Sequence, residues 1–287
     1  MSKRSTILNK LSVDTLAIGS FDGIHMGHRQ LIRKLGENGA LFVIDKDQVN
    51  LTPGTKRSLY AGYPCMFYHF LKVKHLSGAE FVALLKKEFP NIKKILVGYD
   101  FCFGHNRSCC AEDLKNLFDG DVEVVEAFSY KGTAIHSSGI RVYLKEGRVD
   151  EANRFLGREY SMTGNVVEGQ GLGKKELVPT LNLKVLDYLV PKSGVYATRT
   201  KIEHTFYDSV SFIGERLSTD SAFAIETHVI GEILEDKVER VELFFVDFIR
   251  ENRHFETLPL LKKQIENDIA VAKERLQTCR VYWLDFL

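Results

Sequence analysis

The densest cluster of residues able to do chemistry is the segment GSFDGIHMGH, which spans Gly19–His28. Its three glycines, at positions 19, 23 and 27, permit a tight backbone path that a phosphate group can approach. His25 and His28 are three residues apart, so at the start of a helix they would lie on one face and point at the same bound group. The pattern indicates phosphate transfer, and the residues expected to bind phosphate beside the two histidines are Gly19, Phe21, Asp22, Gly23 and Gly27.

Two other interpretations of this segment are open. Asp22, His25 and His28 could hold a zinc ion, although no Cys or further His stands at a supporting spacing. The histidines could also be ordinary loop residues. Three glycines, an acid and two histidines within ten residues at a strand-to-helix junction favour the phosphate site over both.

A second cluster lies in VVEGQGLGKKELVPTLNL, Val166–Leu183, with glycines at 169, 171 and 173 before a Pro-Thr-x-Asn step. A glycine-rich loop can fold over the phosphates of a nucleotide, and we expect Gly171 and Gly173 to do so. Thr180 and Asn182 are separated by one residue on a predicted strand, so their oxygens share one face and suit a Mg²⁺ ion that carries ATP phosphates. A flexible hairpin followed by an ordinary strand is the alternative interpretation.

The elements that must position these clusters differ between the two halves of the chain. Up to about Leu156, short apolar runs alternate with amphipathic helical stretches, which is typical of βαβ units and a parallel sheet. In this half the strands are predicted at Thr15–Ile18, Leu41–Ile44, Lys94–Val97 and Val122–Ala127, and the helices at His28–Leu35, Ala79–Phe89, Glu112–Phe118, Ser138–Leu144 and Val149–Leu156.

After Gly157 the pattern changes to strands and turns. Six alternating segments at short spacing indicate a small antiparallel barrel. The predicted strands are Ser161–Val167, Leu181–Val185, Gly194–Thr200, Ser209–Ile213, Ala222–Ile230 and Glu239–Ile249. Apolar residues then recur at helical spacing over Leu258–Leu276, which predicts a terminal helix packed on the barrel.

Length, charge and cysteine content restrict the classes of protein to which this chain can belong. The chain has 287 residues, which suggests two domains, and its 39 Lys+Arg against 38 Asp+Glu leave a net charge of +1. No global basic field therefore argues for a nucleic acid or a membrane surface as partner. Five cysteines without a CxxC pair, and an N-terminus without the apolar core of a secretion signal, predict a reduced protein of the cytoplasm.

The first half resembles the bifunctional prokaryotic riboflavin kinase/FAD synthetase family. Gly19–His28 is similar to its GxFDGxHxGH motif, a longer form of the HxGH signature of nucleotidyltransferases, and VGYDFCFGHNR, Val97–Arg107, is similar to its GxDFxFGxxR loop. HSSGIRVYLKEGRVDEANRFLGREY, His136–Tyr160, is similar to its ISSTxIR and LGRPY segments. The resemblance implies that His25, His28 and Arg141 are catalytic, that Ser137 and Ser138 help to bind the ATP phosphates, and that the flavin and nucleotide contact Asp100, Phe101, Phe103 and Gly104.

The second half resembles the riboflavin kinase part of the same family. Val166–Leu183 is similar to its glycine loop and PTAN motif, SGVYA at Ser193–Ala197 to the following strand, and AIETHVI at Ala224–Ile230 to its E-x-H strand. DFIRENRHFETLPLLKKQIENDI, Asp247–Ile269, is similar to its closing strand and helix. The resemblance implies Thr180 and Asn182 as Mg²⁺ and ATP ligands, Glu226 as the catalytic base and Arg250 in the flavin or nucleotide site.

The chain also departs from the family pattern. FVIDKDQV from Phe42 onward stands where the family has TFxPHP after its second strand, and Gly139 stands where the family has the Thr of SSTxIR. In the kinase half the departures are Glu168, Leu177, Leu181 and Gly231. These changes are the reason to keep a flavin-binding regulator with a degenerate kinase half as an alternative function.

The resemblance implies an α/β Rossmann-like nucleotidyltransferase domain over residues 1–156 and an antiparallel β-barrel riboflavin kinase domain with a terminal helix over residues 157–287. The expected reactions are the phosphorylation of riboflavin to FMN with MgATP and the adenylylation of FMN to FAD with release of pyrophosphate. Riboflavin, FMN and ATP are then the partners, without nucleic acid or membrane, and we expect a monomer or weak homo-oligomer. A nucleotidyltransferase with another phosphate acceptor is the second alternative.

Overall fold

The chain forms two compact units, Met1–Ser137 and Ser138–Leu287. A computed structural model describes residues 8–46, 50–169, 177–218, 220–232 and 238–282. Each unit contains its own β-sheet.

The first unit contains a five-stranded parallel sheet. Its strands are β1 (Thr15–Gly19), β2 (Gly39–Asp45), β3 (Cys65–His69), β4 (Lys94–Gly98) and β7 (Asp121–Val125), in the spatial order β3-β2-β1-β4-β7. All four neighbouring pairs are parallel. Two short antiparallel ladders stand beside it, β5 (Cys102–Phe103) with β6 (Cys109–Cys110), and β8 (Ser129–Tyr130) with β9 (Thr133–Ala134).

Five helices accompany this sheet: α1 (Met26–Ile32), α2 (Lys56–Ala61), α3 (Phe70–Val73), α4 (Gly78–Glu88) and α5 (Ala111–Leu117). Helix α4 begins with a capping box, in which the side chains of Ser77 and Glu80 each accept a hydrogen bond from the other residue's backbone N–H. The sheet is buried on both faces, because Leu16 and Ile18 of β1 pack into one apolar cluster and Ala17 into another. Near-continuous apolar strands are what a parallel sheet covered on both sides requires.

The strand order places a crevice at one edge of this sheet. From β1 the chain moves to β2 and β3 on one side, and then returns to β4 on the other side of β1. The connections that leave the carboxyl ends of β1 and β4 therefore diverge, and ligands of open α/β sheets bind at such a point. The segments that begin there are Gly19–His28 and Gly98–Gly104.

The second unit contains a closed six-stranded barrel. Helices α6 (Ser137–Glu146) and α7 (Val149–Leu156) precede β10 (Tyr160–Val167), β11 (Leu181–Val185), β12 (Gly194–Ile202), β13 (Thr205–Glu215), β14 (Phe223–Val229) and β15 (Arg240–Arg250), and helix α8 (Leu258–Tyr282) follows. The strand order around the barrel is β10-β11-β14-β13-β12-β15, and every pair is antiparallel.

The two faces of the barrel strands have different neighbours. On the outside, Ala197 and Val210 form an apolar cluster with Ala272 and Leu276 of α8. On the inside, five buried hydroxyls hydrogen-bond to one another at 2.7–3.2 Å, those of Thr198, Thr200, Ser209, Ser211 and Thr227. Because each buried hydroxyl finds a partner, the polar interior carries little desolvation penalty.

The predicted fold class is confirmed: a parallel sheet with helices, then an antiparallel barrel with a terminal helix. The structure adds α2, β3 and α3, for which the sequence analysis predicted no element. Strand β3 is an edge strand whose residues are all partly exposed, and its sequence, CMFYH, is a short apolar run that periodicity alone does not assign to a strand or a helix.

Candidate active sites

The loop after β1 brings the two predicted histidines together. His25 caps α1, and its Nδ1 accepts a hydrogen bond from the backbone N–H of His28 at 3.3 Å. The two imidazole rings stack with centroids 3.6 Å apart and an interplanar angle of 18°. The two rings therefore lie on the same side of the helix start, as the three-residue spacing predicted, while their binding of one anion stays a prediction.

This loop has an unusual backbone. Phe21, Gly23 and Ile24 have φ values of +49°, +91° and +43°. Such a conformation is costly for residues other than glycine, and it persists here because the side chains of Phe21 and Ile24 are fully buried. A Cβ on Gly27 would lie 3.1 Å from the His25 ring, so the glycine allows close approach of the backbone to that ring. Packing of the loop thus holds the histidines in place.

Asp22 anchors the loop from within the unit. Its side chain is buried, and Oδ1 accepts hydrogen bonds from the backbone N–H groups of Leu51 and Thr52 at 2.9 and 3.0 Å. The carbonyl oxygen of Asp22 accepts a hydrogen bond from Ser137 Oγ at 2.8 Å. No group of three His, Cys, Asp or Glu side chains that could hold a metal occurs among the described residues, so the zinc interpretation gains no support.

The second predicted loop of this unit follows β4. Asp100 is exposed and Phe101 is half-buried, with its ring stacked on Phe103 at 5.5 Å. Phe103 itself is buried in the core, where it also packs on Phe81. Gly104 has a φ of +75°, a conformation that favours glycine. Asp100, Phe101 and Gly104 thus remain accessible, whereas Phe103 is buried and its ring packs against that of Phe101.

Helix α6 contains three predicted site residues. Ser138 and Arg141 belong to the second unit, whereas Ser137 is the last residue of the first unit. The helix begins at Ser137, Ser138 is exposed and Arg141 is half-buried. Since both serines fall in the first turn, their hydroxyls are placed to interact with unpaired backbone N–H groups or with a bound anion.

A cavity of about 170 Å³ in the second unit gathers four residues that the sequence analysis singled out. Thr180, Asn182, Glu226 and Arg250 all line it, although they come from separate segments of the chain. Asn182 of β11 is paired with Glu226 of β14 in the barrel register, so their side chains share one face of the sheet. His228, two residues beyond Glu226, donates from Nδ1 to the carbonyl oxygen of Pro179 at 2.8 Å and so holds the backbone just before Thr180.

The electrostatics around Glu226 combine burial and one ion pair. Burial raises the pKa of Glu226, and the positive charge of Arg216 opposes that increase. Nη1 of Arg216 donates to Glu226 Oε1 at 3.2 Å, while its Nε and Nη2 donate to the two carboxylate oxygens of Asp220 at 2.9 and 2.8 Å. The carboxylate is therefore both partly desolvated and paired with a cation.

Arg250 is held by an acid on the terminal helix. Its Nε and Nη2 donate to Asp268 at 2.7–3.1 Å, and Gln264 donates to the same carboxylate at 2.7 Å. Asp268 is 3% exposed. The guanidinium groups of Arg250 and Arg253 both lie over the ring of Phe255, with their central carbons 5.7 and 4.8 Å from its centroid.

The first glycine of the predicted phosphate loop contacts a predicted ligand. A Cβ on Gly169 would overlap the side-chain amide of Asn182, so glycine is required for this close approach. The other two glycines, Gly171 and Gly173, lie outside the described residues.

The sequence analysis missed several cavity residues. Arg216, His228, Phe255 and Asp268 line the cavity and were not among the predicted site residues. Arg216 and Asp220 are four residues apart, a spacing that predicts an ion pair only on a helix. They lie in the connection between β13 and β14, so the spacing did not predict their contact. Asp268 was visible only as a polar position within the predicted terminal helix.

Comparison with known families matches both units. A riboflavin kinase family model matches residues 156–276, and an FAD synthetase family model matches residues 63–139. The second match begins after the loop that contains His25 and His28.

Curated relatives match along nearly the whole chain. A bifunctional riboflavin kinase/FMN adenylyltransferase from Listeria monocytogenes is 28% identical over 291 residues, which covers 92% of this chain and 91% of the relative. A protein of the same description from Pseudomonas fluorescens is 28% identical over 283 residues, with 89% and 91% covered.

Among solved structures, a crystal structure from Streptococcus pneumoniae described as a macrolide-efflux protein has a TM-score of 0.82 and 26% identity, and covers 94% of this chain and 99% of that one. No helix within the described ranges of the present chain is long and apolar enough to cross a membrane. The two family matches occur in the order that the motifs predicted, and relatives of one description match across both units. The chain therefore belongs to the bifunctional riboflavin kinase/FAD synthetase family.

Proposed function

We propose that this chain phosphorylates riboflavin to FMN with ATP and then transfers AMP from a second ATP to FMN, which yields FAD and pyrophosphate. The comparisons support both activities and give no support to a different phosphate acceptor or to a regulator without turnover. The observation that carries the proposal is the cavity in which Thr180, Asn182 and Glu226 meet. The cavity is lined both by the side-chain oxygens of Thr180 and Asn182, which suit Mg²⁺, and by the carboxylate of Glu226, which suits a general base.

In the kinase reaction, Glu226 acts as the general base. The 5′-hydroxyl of riboflavin loses its proton to the carboxylate as the hydroxyl oxygen bonds to the γ-phosphorus of ATP, and ADP leaves with the electron pair of the broken P–O bond. Burial raises the pKa of Glu226 and so makes the carboxylate a stronger base than an exposed one. Partial exclusion of water also strengthens its interaction with the substrate proton.

Mg²⁺ is proposed to arrive with ATP. The side-chain oxygens of Thr180 and Asn182 are hard, neutral ligands of the kind that Mg²⁺ accepts when phosphates supply the rest of its shell, so the donor set fits. When bound, the ion neutralises phosphate charge. The residues themselves orient the nucleotide, since Asn182 is paired with Glu226 across two strands.

In the adenylyl transfer, the FMN phosphate attacks the α-phosphorus of ATP and pyrophosphate leaves. This step requires positioning and charge stabilisation more than a covalent nucleophile. We assign the phosphate contacts to the stacked His25 and His28 and to the glycine backbone of their loop, and the flavin or nucleotide contacts to Asp100 and Phe101. For Arg141, which belongs to the second unit, a role in this reaction is proposed from its place in the family motif alone. Phe103 contributes by packing beneath Phe101.

We also propose domain boundaries of 1–156 and 157–287, a monomer or weak homo-oligomer, and a cytoplasmic location. The riboflavin kinase family match begins at residue 156, which supports this boundary, whereas the compact second unit begins at Ser138 and therefore also includes α6 and α7. Four cysteines within the described ranges are free thiols, which suits a reducing compartment: Cys65, Cys102, Cys109 and Cys110.

The test is a flavin product assay. Purified protein is given riboflavin, ATP and Mg²⁺, and the flavins are separated chromatographically. We expect FMN and FAD, and a reaction that yields neither would overturn the proposed function. His28→Ala is expected to abolish FAD formation and spare FMN formation, whereas Glu226→Ala does the opposite when FMN is supplied for the second step. Equal loss of both activities in each variant would contradict separate sites.

A further inference from the structure

The connection between β13 and β14 contributes an unassigned cation to the kinase cavity. Arg216 lies one residue after β13 and lines the cavity together with Glu226. Its side chain is 18% exposed and that of Glu226 is 22% exposed, so the pair is largely shielded from water. An ion pair in such a place is stronger than one on the surface, and also more costly to break.

Arg216 is itself held in place by a second acid. Its Nε and Nη2 donate to both oxygens of Asp220, a bidentate arrangement that fixes the plane of the guanidinium. The remaining nitrogen, Nη1, donates to Oε1 of Glu226 at 3.2 Å. One guanidinium therefore connects a rigid anchor to the proposed base.

The other polar groups near Glu226 do not replace Arg216. On β14 itself His228 is bonded to the carbonyl of Pro179, and across the strands Asn182 and Phe212 are uncharged partners. Arg250 is paired with Asp268 of α8. The remaining cation lining the cavity within the described residues is Arg253, which lies over Phe255.

We infer that Arg216 is a positioning residue of the kinase reaction, which keeps the Glu226 carboxylate aimed at the substrate hydroxyl while Asp220 holds the guanidinium. This inference rests on the proposed function of Glu226 as the base. Arg216 has to be an arginine, because lysine provides a point charge that cannot bind both acids with a fixed geometry.

The inference predicts a loss of turnover that is larger than any loss of substrate binding. Without the hydrogen bond from Nη1 of Arg216, the Glu226 carboxylate loses the contact that fixes its orientation. Misplacement of a catalytic group by about 1 Å can cost about 100-fold in rate.

The experiment compares Arg216→Gln and Arg216→Lys with the parent chain. The kcat of FMN formation is measured at saturating riboflavin and MgATP, together with KM for both substrates. Arg216→Gln is expected to lower kcat by at least about tenfold, because the base is no longer aimed at the hydroxyl. KM is expected to change less than kcat. Arg216→Lys should also lower kcat, since a point charge does not hold both acids in a fixed geometry.

Controls separate positioning from misfolding. Arg240→Gln removes an exposed arginine at the start of β15, outside the cavity, and should leave kcat and KM of the kinase reaction unchanged. FAD formation from supplied FMN reports on the other unit, and thermal unfolding reports on folding. If Arg216→Gln unfolds the barrel, the kcat of Arg216→Lys provides the test.

The outcomes distinguish the two levels of the argument. A parent chain that forms no FMN overturns the proposed function itself. A parent chain that forms FMN, with an Arg216→Gln variant whose kcat is unchanged, overturns the positioning role alone. A large rise in KM for MgATP with an unchanged kcat would make Arg216 a nucleotide ligand instead, and this too contradicts the inference.

Discussion

Asp268 provides the sharpest test of how the terminal helix builds the kinase cavity. The replacement Asp268→Ala removes the acceptor of three contacts from Arg250 at 2.7–3.1 Å and of one from Gln264 at 2.7 Å. The Asp268 side chain is 4% exposed, so the carboxylate is deeply buried, whereas the Arg250 side chain is 20% exposed and can recover part of its hydration.

The expected loss of stability follows from this difference in exposure between Asp268 and Arg250. Breaking a buried ion pair by removing one partner costs about 3–5 kcal/mol because the other charge is left without compensation. Since Arg250 can partly rehydrate, we expect a somewhat smaller loss than this, about 2–4 kcal/mol in the free energy of unfolding. For a unit of this size, that loss corresponds to a fall of about 5–15 °C in Tm.

The assay is thermal unfolding combined with the kinase kinetics. Asp268→Ala should also raise KM for riboflavin, because Arg250 is no longer held at the cavity, while FAD formation from FMN stays unchanged. The double variant Arg250→Met with Asp268→Leu should be more stable than Asp268→Ala, since it leaves no buried charge unpaired. A Tm change below about 2 °C for Asp268→Ala, or a double variant that is less stable than this single one, would refute the reasoning.

Three further predictions concern other positions. Asn153→Ala should lower the free energy of unfolding by about 2–4 kcal/mol, measured by chemical denaturation, because Asn153 accepts from the buried N–H of Tyr160 at 2.6 Å and donates to a carbonyl of β15 at 2.8 Å. Gly169→Ala should raise KM for MgATP in the kinase reaction, because its Cβ displaces the Asn182 amide; an unchanged KM would contradict this contact. The kinase rate should fall as the pH is lowered, because the base acts only when ionised. Since burial raises the pKa of Glu226, this fall should begin at a higher pH than it would with an exposed glutamate as the base. Rates that stay constant down to the usual range of a glutamate would contradict that assignment.

The secondary structure was predictable wherever one local pattern dominated. Helix Val149–Leu156 and strand Leu181–Val185 have the predicted bounds, because their apolar residues follow a helical and an alternating period respectively. The segment of α2, β3 and α3 was not predictable in this way. These elements are only four to six residues long, and the run CMFYH of β3 is apolar without the alternation of a half-buried strand, so periodicity does not distinguish a strand from a helix there.

The sequence motifs of the candidate sites could be predicted, but the three-dimensional placement of their residues could not. The glycines and histidines of Gly19–His28 indicated a phosphate site, but the positive φ values of Phe21 and Ile24 and the burial of Asp22 arise from packing. In the kinase half, Glu226 and Asn182 were identified separately. Their adjacency depends on the register between β11 and β14, which are separated in the sequence by two long strands.

The sequence by itself determined which residues can do the chemistry, because glycine, histidine, carboxylate and amide side chains carry their conformational and chemical properties wherever they stand. It also determined the class of each unit, since apolar periodicity is a local property. Only the tertiary structure decided that Arg216 contacts Glu226 and that Asp268 holds Arg250. These pairs depend on strand register and on the docking of α8 against the barrel, which are set by burial of distant apolar surfaces and leave no local signal in the chain.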